Sequence, residues 1–308
     1  MRHRKLNYSI TDVQWHPNEE NLIASAAGNG AVILWDLTKE NNKQEQTLFQ
    51  QHRFVNRLCF HPSDAYLLSC SQDGYIHCID IRAKNLMKSF RGKTEYIRDV
   101  QFHPTDKQTF CAVCESGNVQ LWDVRKTDTY TSQWTAHIEP IFTLDWHPED
   151  KNCLATGGRD KSIKIWDTSQ PPTHPTHTIH TISSVHKIKW RPGHNFYIAS
   201  CALVLDNNIN IWDIRRPYVP YASFQEHIHA ATGIVWQKDS DVILSCSEDK
   251  TIYHHVMEDA DRPLENAPLV ALGLSPRGKE FFYRVCNAKI LATKLFKPQI
   301  FLENNRIY

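Results

Sequence analysis

Three features of the sequence predict an all-β fold of repeated sheets: two motif series recurring in fixed phase, tryptophans almost confined to those series, and short β-rich runs broken by turn residues. The first series comprises DVQWHP, RLCFHP, DVQFHP, TLDWHP and KIKWRP, with prolines at 17, 62, 104, 148 and 192. The second is a Trp-Asp dipeptide or its relic at Trp35-Asp36, Ile79-Asp80, Trp122-Asp123, Trp166-Asp167 and Trp212-Asp213. Both advance by 42–46 residues, and a period of that length carrying Trp-Asp marks one blade of a β-propeller. The predicted fold class is therefore a WD-repeat β-propeller of seven blades, six clear repeats and a degenerate seventh.

The tryptophans follow from this pattern. Trp15, Trp146, Trp190 and Trp236 lie on the first series, Trp35, Trp122, Trp166 and Trp212 on the second, and only Trp134 stands outside both. Rings placed so regularly are expected to fill the same gap between adjacent sheets rather than to stack on ligands. Runs such as AVILWD and SIKIWD have the β-branched content of short antiparallel strands. Trp134 is expected to cap a blade edge or to mark a contact on the propeller's side.

The fourth repeat carries His137, Thr156, Asp160 and Trp166 where WD repeats place a hydrogen-bonded tetrad. An ionised Asp in a tight turn accepts from the imidazole N–H, and the indole N–H donates to the hydroxyl. Repeat two offers His52, Ser69 and Asp73, and repeat six His227, Ser245 and Asp249. Repeat one has Ser25 and Asn29; repeats three and five place Ala112 and Ala202 at the hydroxyl position, and His254-His255 replace the sixth Trp-Asp. A His/Ser/Asp set that recurs with the repeat reads as framework, not as a hydrolase triad.

The six repeats occupy 1–256. A polar, proline-bearing stretch at 257–268 reads as a connector, and 269–303 as the degenerate seventh blade, with a tail at 304–308. In that last blade Ser275-Pro276 sits where other repeats carry His-Pro. The alternative is an open six-bladed ring that accepts a strand or blade from a partner.

Composition narrows the function classes. A formal net charge of +1 gives no field to steer the chain to phosphates, so neither a nucleic-acid partner nor insertion into a membrane is expected. The nine cysteines lie in apolar stretches without regular spacing, as buried thiols in a reducing cytoplasm would. No signal peptide or membrane-length apolar run is seen. Cys111-Ala-Val-Cys114 has no second CxxC and reads as a buried strand. His174, His177, His180 and His186 are interleaved with Pro and Thr and read as an inter-blade loop, so no metal and no cofactor are expected. With no phosphate loop or nucleophile elbow, the chain is expected not to be an enzyme.

Loops on a rigid scaffold carry binding, which points to the face beside the tetrads. Arg53, Phe54, Tyr75, Tyr96, Glu139, Arg159 and Glu248 adjoin the tetrad positions and are the candidate partner-binding residues. Arg125 and Arg215, in Trp-Asp-Val-Arg and Trp-Asp-Ile-Arg, together with Arg82, match the WDxR box of substrate receptors for cullin–RING ubiquitin ligases, the alternative function.

Beyond generic repeats, WHPEDKNCLATGGRDKSIKIWD (146–167), DNNINIWDIRRPYVPYASFQEH (206–227) and GNVQLWDVRK (117–126) resemble the N-terminal propeller of the WD repeat-containing protein 24 family. The resemblance runs over about 6–256 and weakly through DADRPLENAP. It implies a non-catalytic scaffold subunit of the GATOR complex, called SEA in yeast. Such a subunit transmits amino-acid availability to the target-of-rapamycin kinase at the lysosomal or vacuolar surface. The implied partners are other protein subunits, including further WD-repeat propellers. Family members continue into a helical region and a zinc-binding RING-type module; the Cys/His array of that module is not in this sequence, so ubiquitin transfer is not carried over.

Overall fold

The computed structural model describes residues 9–38, 46–92, 96–237 and 240–263, together with four short strands nearer the C-terminus. Two compact units are formed, Met1–Ala260 and Asp261–Tyr308. The first is all-β and holds six propeller blades.

Blade 1 comprises β1 (Ile10–Trp15), β2 (Leu22–Ala27), β3 (Ala31–Asp36) and β4 (Gln46–Gln50). Blade 2 comprises β5 (Val55–Phe60), β6 (Tyr66–Ser71), β7 (Tyr75–Asp80) and β8 (Asn85–Arg91). Blade 3 follows with β9 (Ile97–Phe102), β10 (Thr109–Cys114), β11 (Asn118–Asp123) and β12 (Ser132–Thr135). Blade 4 has β13 (Ile141–Trp146), β14 (Cys153–Gly158), β15 (Ser162–Asp167) and β16 (His177–His180). Blade 5 has β17 (Val185–Trp190), β18 (Tyr197–Ala202), β19 (Ile209–Asp213) and β20 (Ala222–Phe224). Among the described residues blade 6 comprises β21 (Ala231–Trp236), β22 (Val242–Ser247) and β23 (Ile252–Val256). Neighbouring strands are antiparallel throughout, as hairpin connections of this length require.

In blades 2 to 5 the second strand is covered by blades on both faces, so it reads as an unbroken run of small and apolar residues rather than an alternating one; TFCAVC in β10 is nearly all buried. In blades 1 to 5 the fourth strand then closes the sheet with one large side chain opposite a residue at the start of the third strand, three before the Trp-Asp position. Val32 pairs with Phe49, Ile76 with Phe90, Val119 with Trp134, Ile163 with Ile179 and Ile209 with Phe224. All five of these third-strand residues are 0% exposed. Trp134, the off-register tryptophan, is thereby explained: it is buried, and its ring lies 5.9 Å from that of Trp166 in the next blade. It seals a blade edge and is not a side-surface contact.

Polar groups also cross between blades at the same interval. Asp12 accepts from the Leu58 N–H (2.9 Å), Asp99 from Leu144 (3.2 Å) and Asp145 from Trp190 (2.9 Å), each a donor on the following blade. The His-Pro histidines form a second line. His61, His103 and His147 accept backbone N–H groups at Nδ1, which leaves Nε2–H to donate to the carbonyls of Lys107, Lys151 and Asn195 at 3.1, 2.7 and 3.3 Å. In the fifth repeat Arg191 replaces that His and reaches Asp241 instead. The first motif series is therefore an inter-blade fastening as well as a strand marker.

In the second unit β24 (Val270–Leu274) pairs with β25 (Glu280–Arg284), and β26 (Leu302–Glu303) with β27 (Arg306–Ile307). The remainder of the expected seventh blade and most of the tail lie outside the described residues. Among the described residues no helix is long and apolar enough to cross a membrane.

Candidate partner-binding face

In every blade the residue that follows the second strand is tied to the loop leading into the first. Gly28 N–H donates to Ser9 O (2.8 Å), Gln72 to Phe54 O (3.0 Å), Glu115 to Tyr96 O (2.9 Å), Arg159 to Pro140 O (2.8 Å), Leu203 to Ser184 O (3.1 Å) and Glu248 to Ala230 O (3.2 Å). These bonds gather two loops per blade onto one face. The turn between second and third strands is tight: Gly117 has φ +82°, and a Cβ there would lie 2.1 Å from His137 O, so only glycine fits.

The tetrad supports that face. In blade 4, His137 Nδ1 lies 2.9 Å from both Asp160 oxygens, Nε2 2.8 Å from Thr156 Oγ1, and Trp166 Nε1 donates to the same hydroxyl at 3.0 Å. With Nδ1–H donating to the carboxylate, Nε2 accepts the Thr156 proton. Burial holds the His137 imidazole below its ordinary value, although Asp160 opposes this. Burial pushes the Asp160 carboxyl up, but His137, Ser162 and Lys164 together hold it below the usual carboxylate range. Blade 6 places His227 3.0 Å from Asp249 and 2.7 Å from Ser245, and His255 Nε2 lies 2.7 Å from Ser245 Oγ. His255 thus occupies the place of the indole rather than marking a lost site.

Two sequence assignments are corrected. In blade 2 the tetrad partner of Ser69 is Gln51, whose Nε2 lies 2.5 Å from the hydroxyl, while His52 is exposed. The spacing signals this, since His137 and His227 precede their hydroxyl residues by the same 18–19 positions as Gln51 does. In blade 5 the hydroxyl is Ser200, not Ala202: Trp212 Nε1 donates to it at 2.8 Å. The turn between β18 and β19 is longer than its counterparts, so Trp212 stands 12 residues after its hydroxyl where Trp35 and Trp166 stand 10 after theirs. In blade 3, where Ala112 offers nothing, Trp122 Nε1 donates to Gln120 Oε1 at 3.2 Å. In blade 1 Trp35 donates to Ser25 (2.8 Å), and Asn29 accepts from Ala31 N–H, the turn role Asp73 has in blade 2.

Of the candidate binding residues, Arg53, Phe54, Tyr96, Glu139, Arg159 and Glu248 are exposed on or beside these tied loops, and Arg159 faces Glu139 at 3.8 Å. Tyr75 is half-buried and points along its blade, stacked with His77 (5.8 Å) and under Arg91 (5.6 Å). The sequence reading missed an aliphatic group on the same loops: Ile138, Ile182, Val204, Leu205 and Ile228 are 62–88% exposed. For Ile138 and Ile228 the position directly after the tetrad histidine (His137-Ile138, His227-Ile228) is the available signal. Asn207 Nδ2 donates to Ile228 O at 2.6 Å, so the loops of blades 5 and 6 are joined there.

The WDxR arginines are engaged within their own blades. Arg125 forks onto Asp123 (2.9 and 2.7 Å), and Arg215 onto Asp213 (2.9 and 2.7 Å) while covering the Phe196 ring at 4.2 Å. The fork holds the Asp123 carboxyl at about 2. Both guanidiniums are largely solvent-exposed, so Arg125→Ala is expected to leave the thermal unfolding midpoint nearly unchanged. Cys111 and Cys114 are both buried, and among the described residues no cluster of His, Cys, Asp and Glu could hold a metal ion.

The family described as Nucleolar protein 10-like, N-terminal domain, matches residues 3–254. Among curated proteins the chain is 48% identical over 270 residues to "GATOR2 complex protein WDR24" of Danio rerio, covering 86% of this chain and 35% of that protein. The Homo sapiens protein of that name is 46% identical, with 86% and 34% covered, and that of Dictyostelium discoideum 41% identical, with 85% and 26% covered. The chain thus spans about a third or less of the length of these relatives. A solved structure titled "Crystal Structure of Mitotic Checkpoint Complex" superposes with a TM-score of 0.70 at 22% identity, over 82% of this chain and 75% of that one, and shows the shared fold.

Proposed function

From the premise that the chain belongs to the Nucleolar protein 10-like N-terminal β-propeller family and is similar to GATOR2 complex protein WDR24, we propose that it is a non-catalytic scaffold subunit of a GATOR2-type complex. The observation that carries this reading is identity of 41–48% to proteins of that one name, spread over most of the chain. In this reading the chain relays amino-acid availability to the target-of-rapamycin kinase. It works in the cytoplasm, held at the lysosomal or vacuolar membrane through its complex rather than by insertion. Its partners are other protein subunits, further propellers among them. The segment 269–303 is read as a degenerate seventh blade, joined by 257–268.

The tied loops beside the tetrads are the docking face, since they expose aromatic and aliphatic groups on a rigid base. The tetrad histidines and aspartates serve that base and do no chemistry. Affinity purification of the tagged chain from cells, with quantitative mass spectrometry, is expected to recover GATOR2 subunits. The paired change Phe54→Ala with Tyr96→Ala is expected to reduce recovery of at least one partner by about tenfold while leaving thermal unfolding within a few degrees. Recovery of a cullin adaptor without GATOR2 subunits, lost in Arg125→Ala with Arg215→Ala, overturns the reading in favour of a ligase receptor.

A further inference from the structure

The foot of blade 4, at the strand ends opposite the tied loops, differs from that of the blades on either side. In blades 3 and 5 the residue two after the Trp-Asp aspartate is an arginine, Arg125 or Arg215, and it forks onto that aspartate. In blade 4 the same position is Ser169, whose N–H donates to Asp167 at 2.9 Å. Asp123 and Asp213 are 8% and 7% exposed, whereas Asp167 is open to solvent. The residues beneath are smaller too. Thr168 N–H donates to Asn152 O as Ile214 N–H does to Phe196 O, and Cys153 stands opposite Asp167 as Tyr197 stands opposite Asp213. Asn152, Cys153 and Ser169 thus take the places of Phe196, Tyr197 and Arg215.

At this point a cleft of about 810 Å³ opens between blades 4 and 5. Ligand sites commonly occupy about 300–1,000 Å³. Its apolar lining includes Cys153, Trp166, Phe196 and Ile214. Burial pushes the Cys153 thiol up to about 12, so that group stays neutral. Three exposed carboxylates, Glu149, Asp150 and Asp167, line the cleft against one lysine, Lys151, and the exposed His177. His147 fastens the two walls, its Nε2–H donating to Asn195 O at 3.3 Å.

We propose that this cleft receives an extended, arginine-bearing segment of a partner protein. The guanidinium takes the place that Arg125 and Arg215 hold in the neighbouring blades and forks onto Asp167. An apolar side chain beside it rests on Cys153 and Phe196. Arginine suits the place better than lysine, because its two parallel N–H groups match a carboxylate. The excess of carboxylates favours a basic segment over an acidic one. The cleft lies at the end of the propeller away from the docking face proposed above, and its assignment depends neither on that face nor on the identity of the complex.

The test pans a random heptapeptide library displayed on phage against the immobilised full chain, with soluble Asp167→Lys chain in excess as competitor. Enriched peptides are expected to carry an arginine beside an aliphatic or aromatic residue. The most enriched peptide is then synthesised with a fluorescent label and its binding followed by anisotropy. Affinity should fall by about tenfold or more for Asp167→Asn, and likewise for a peptide with citrulline in place of arginine. Ser169→Arg supplies the guanidinium from the chain itself and should abolish binding. Positions 167 and 169 are exposed, so these variants are expected to melt within a few degrees of the wild type. Phe54→Ala with Tyr96→Ala should leave binding unchanged, which separates the cleft from the docking face. No enrichment against the competitor overturns the proposal, as do enriched peptides that lack arginine. Undiminished binding to Ser169→Arg or to Asp167→Asn overturns it as well.

Discussion

Asp145→Ala is expected to lower the free energy of unfolding by about 3 kcal/mol, the largest effect of any single polar truncation in the propeller. The carboxylate is 7% exposed and serves three groups at once: Trp190 N–H at 2.9 Å, Lys189 Nζ at 2.5 Å and Gln101 Nε2 at 3.1 Å. Burial alone would push the Lys189 ammonium down, but Asp145 outweighs it and holds the amine above its ordinary value. Truncation therefore orphans a cation and a backbone donor where blades 4 and 5 meet. Asp145→Asn keeps an acceptor for Trp190 and should cost clearly less. Urea unfolding of both variants measures the difference. A loss for Asp145→Ala no greater than that of an exposed ion pair would refute the inter-blade role.

Asp160→Ala is expected to cost about 1–3 kcal/mol, since it leaves His137 Nδ1–H and the Ser162 hydroxyl without their acceptor. The tetrad also fixes a pH dependence. Both His137 and Asp160 titrate below their ordinary values in the folded chain. Such groups contribute stability that is present above their unfolded pKa values, about 6.5 and 3.9, and lost as pH falls below each. The wild-type melting temperature should thus fall between pH 7.5 and 5 through His137, and further below pH 4 through Asp160. The acid part of that decline should be shallower in Asp160→Ala. A variant that melts like the wild type across this range would remove the tetrad from the account of stability.

The six described blades and their framework are legible because they are local and periodic. Trp-Asp and His-Pro recur at a near-constant interval, and each marks one strand end. The blade 4 tetrad could be read because its four residues all keep the family's types. The two misplaced positions fail for different reasons. Ala202 follows from counting back from Trp212, which assumes constant loop length, and the longer turn before β19 breaks that count; His52 follows from side-chain type, where spacing points to Gln51.

The sequence by itself determined the all-β repeat, its six described blades and the types of side chain that hold each one. Those properties arise from strand alternation and turn chemistry within some 40 residues. Only the tertiary structure decided which polar groups meet across blades, as Asp145 and Lys189 do, and which apolar residues stay uncovered, as Ile138 does. Burial is a property of what packs on the far side of a strand. In a propeller that neighbour lies a whole repeat away in the chain.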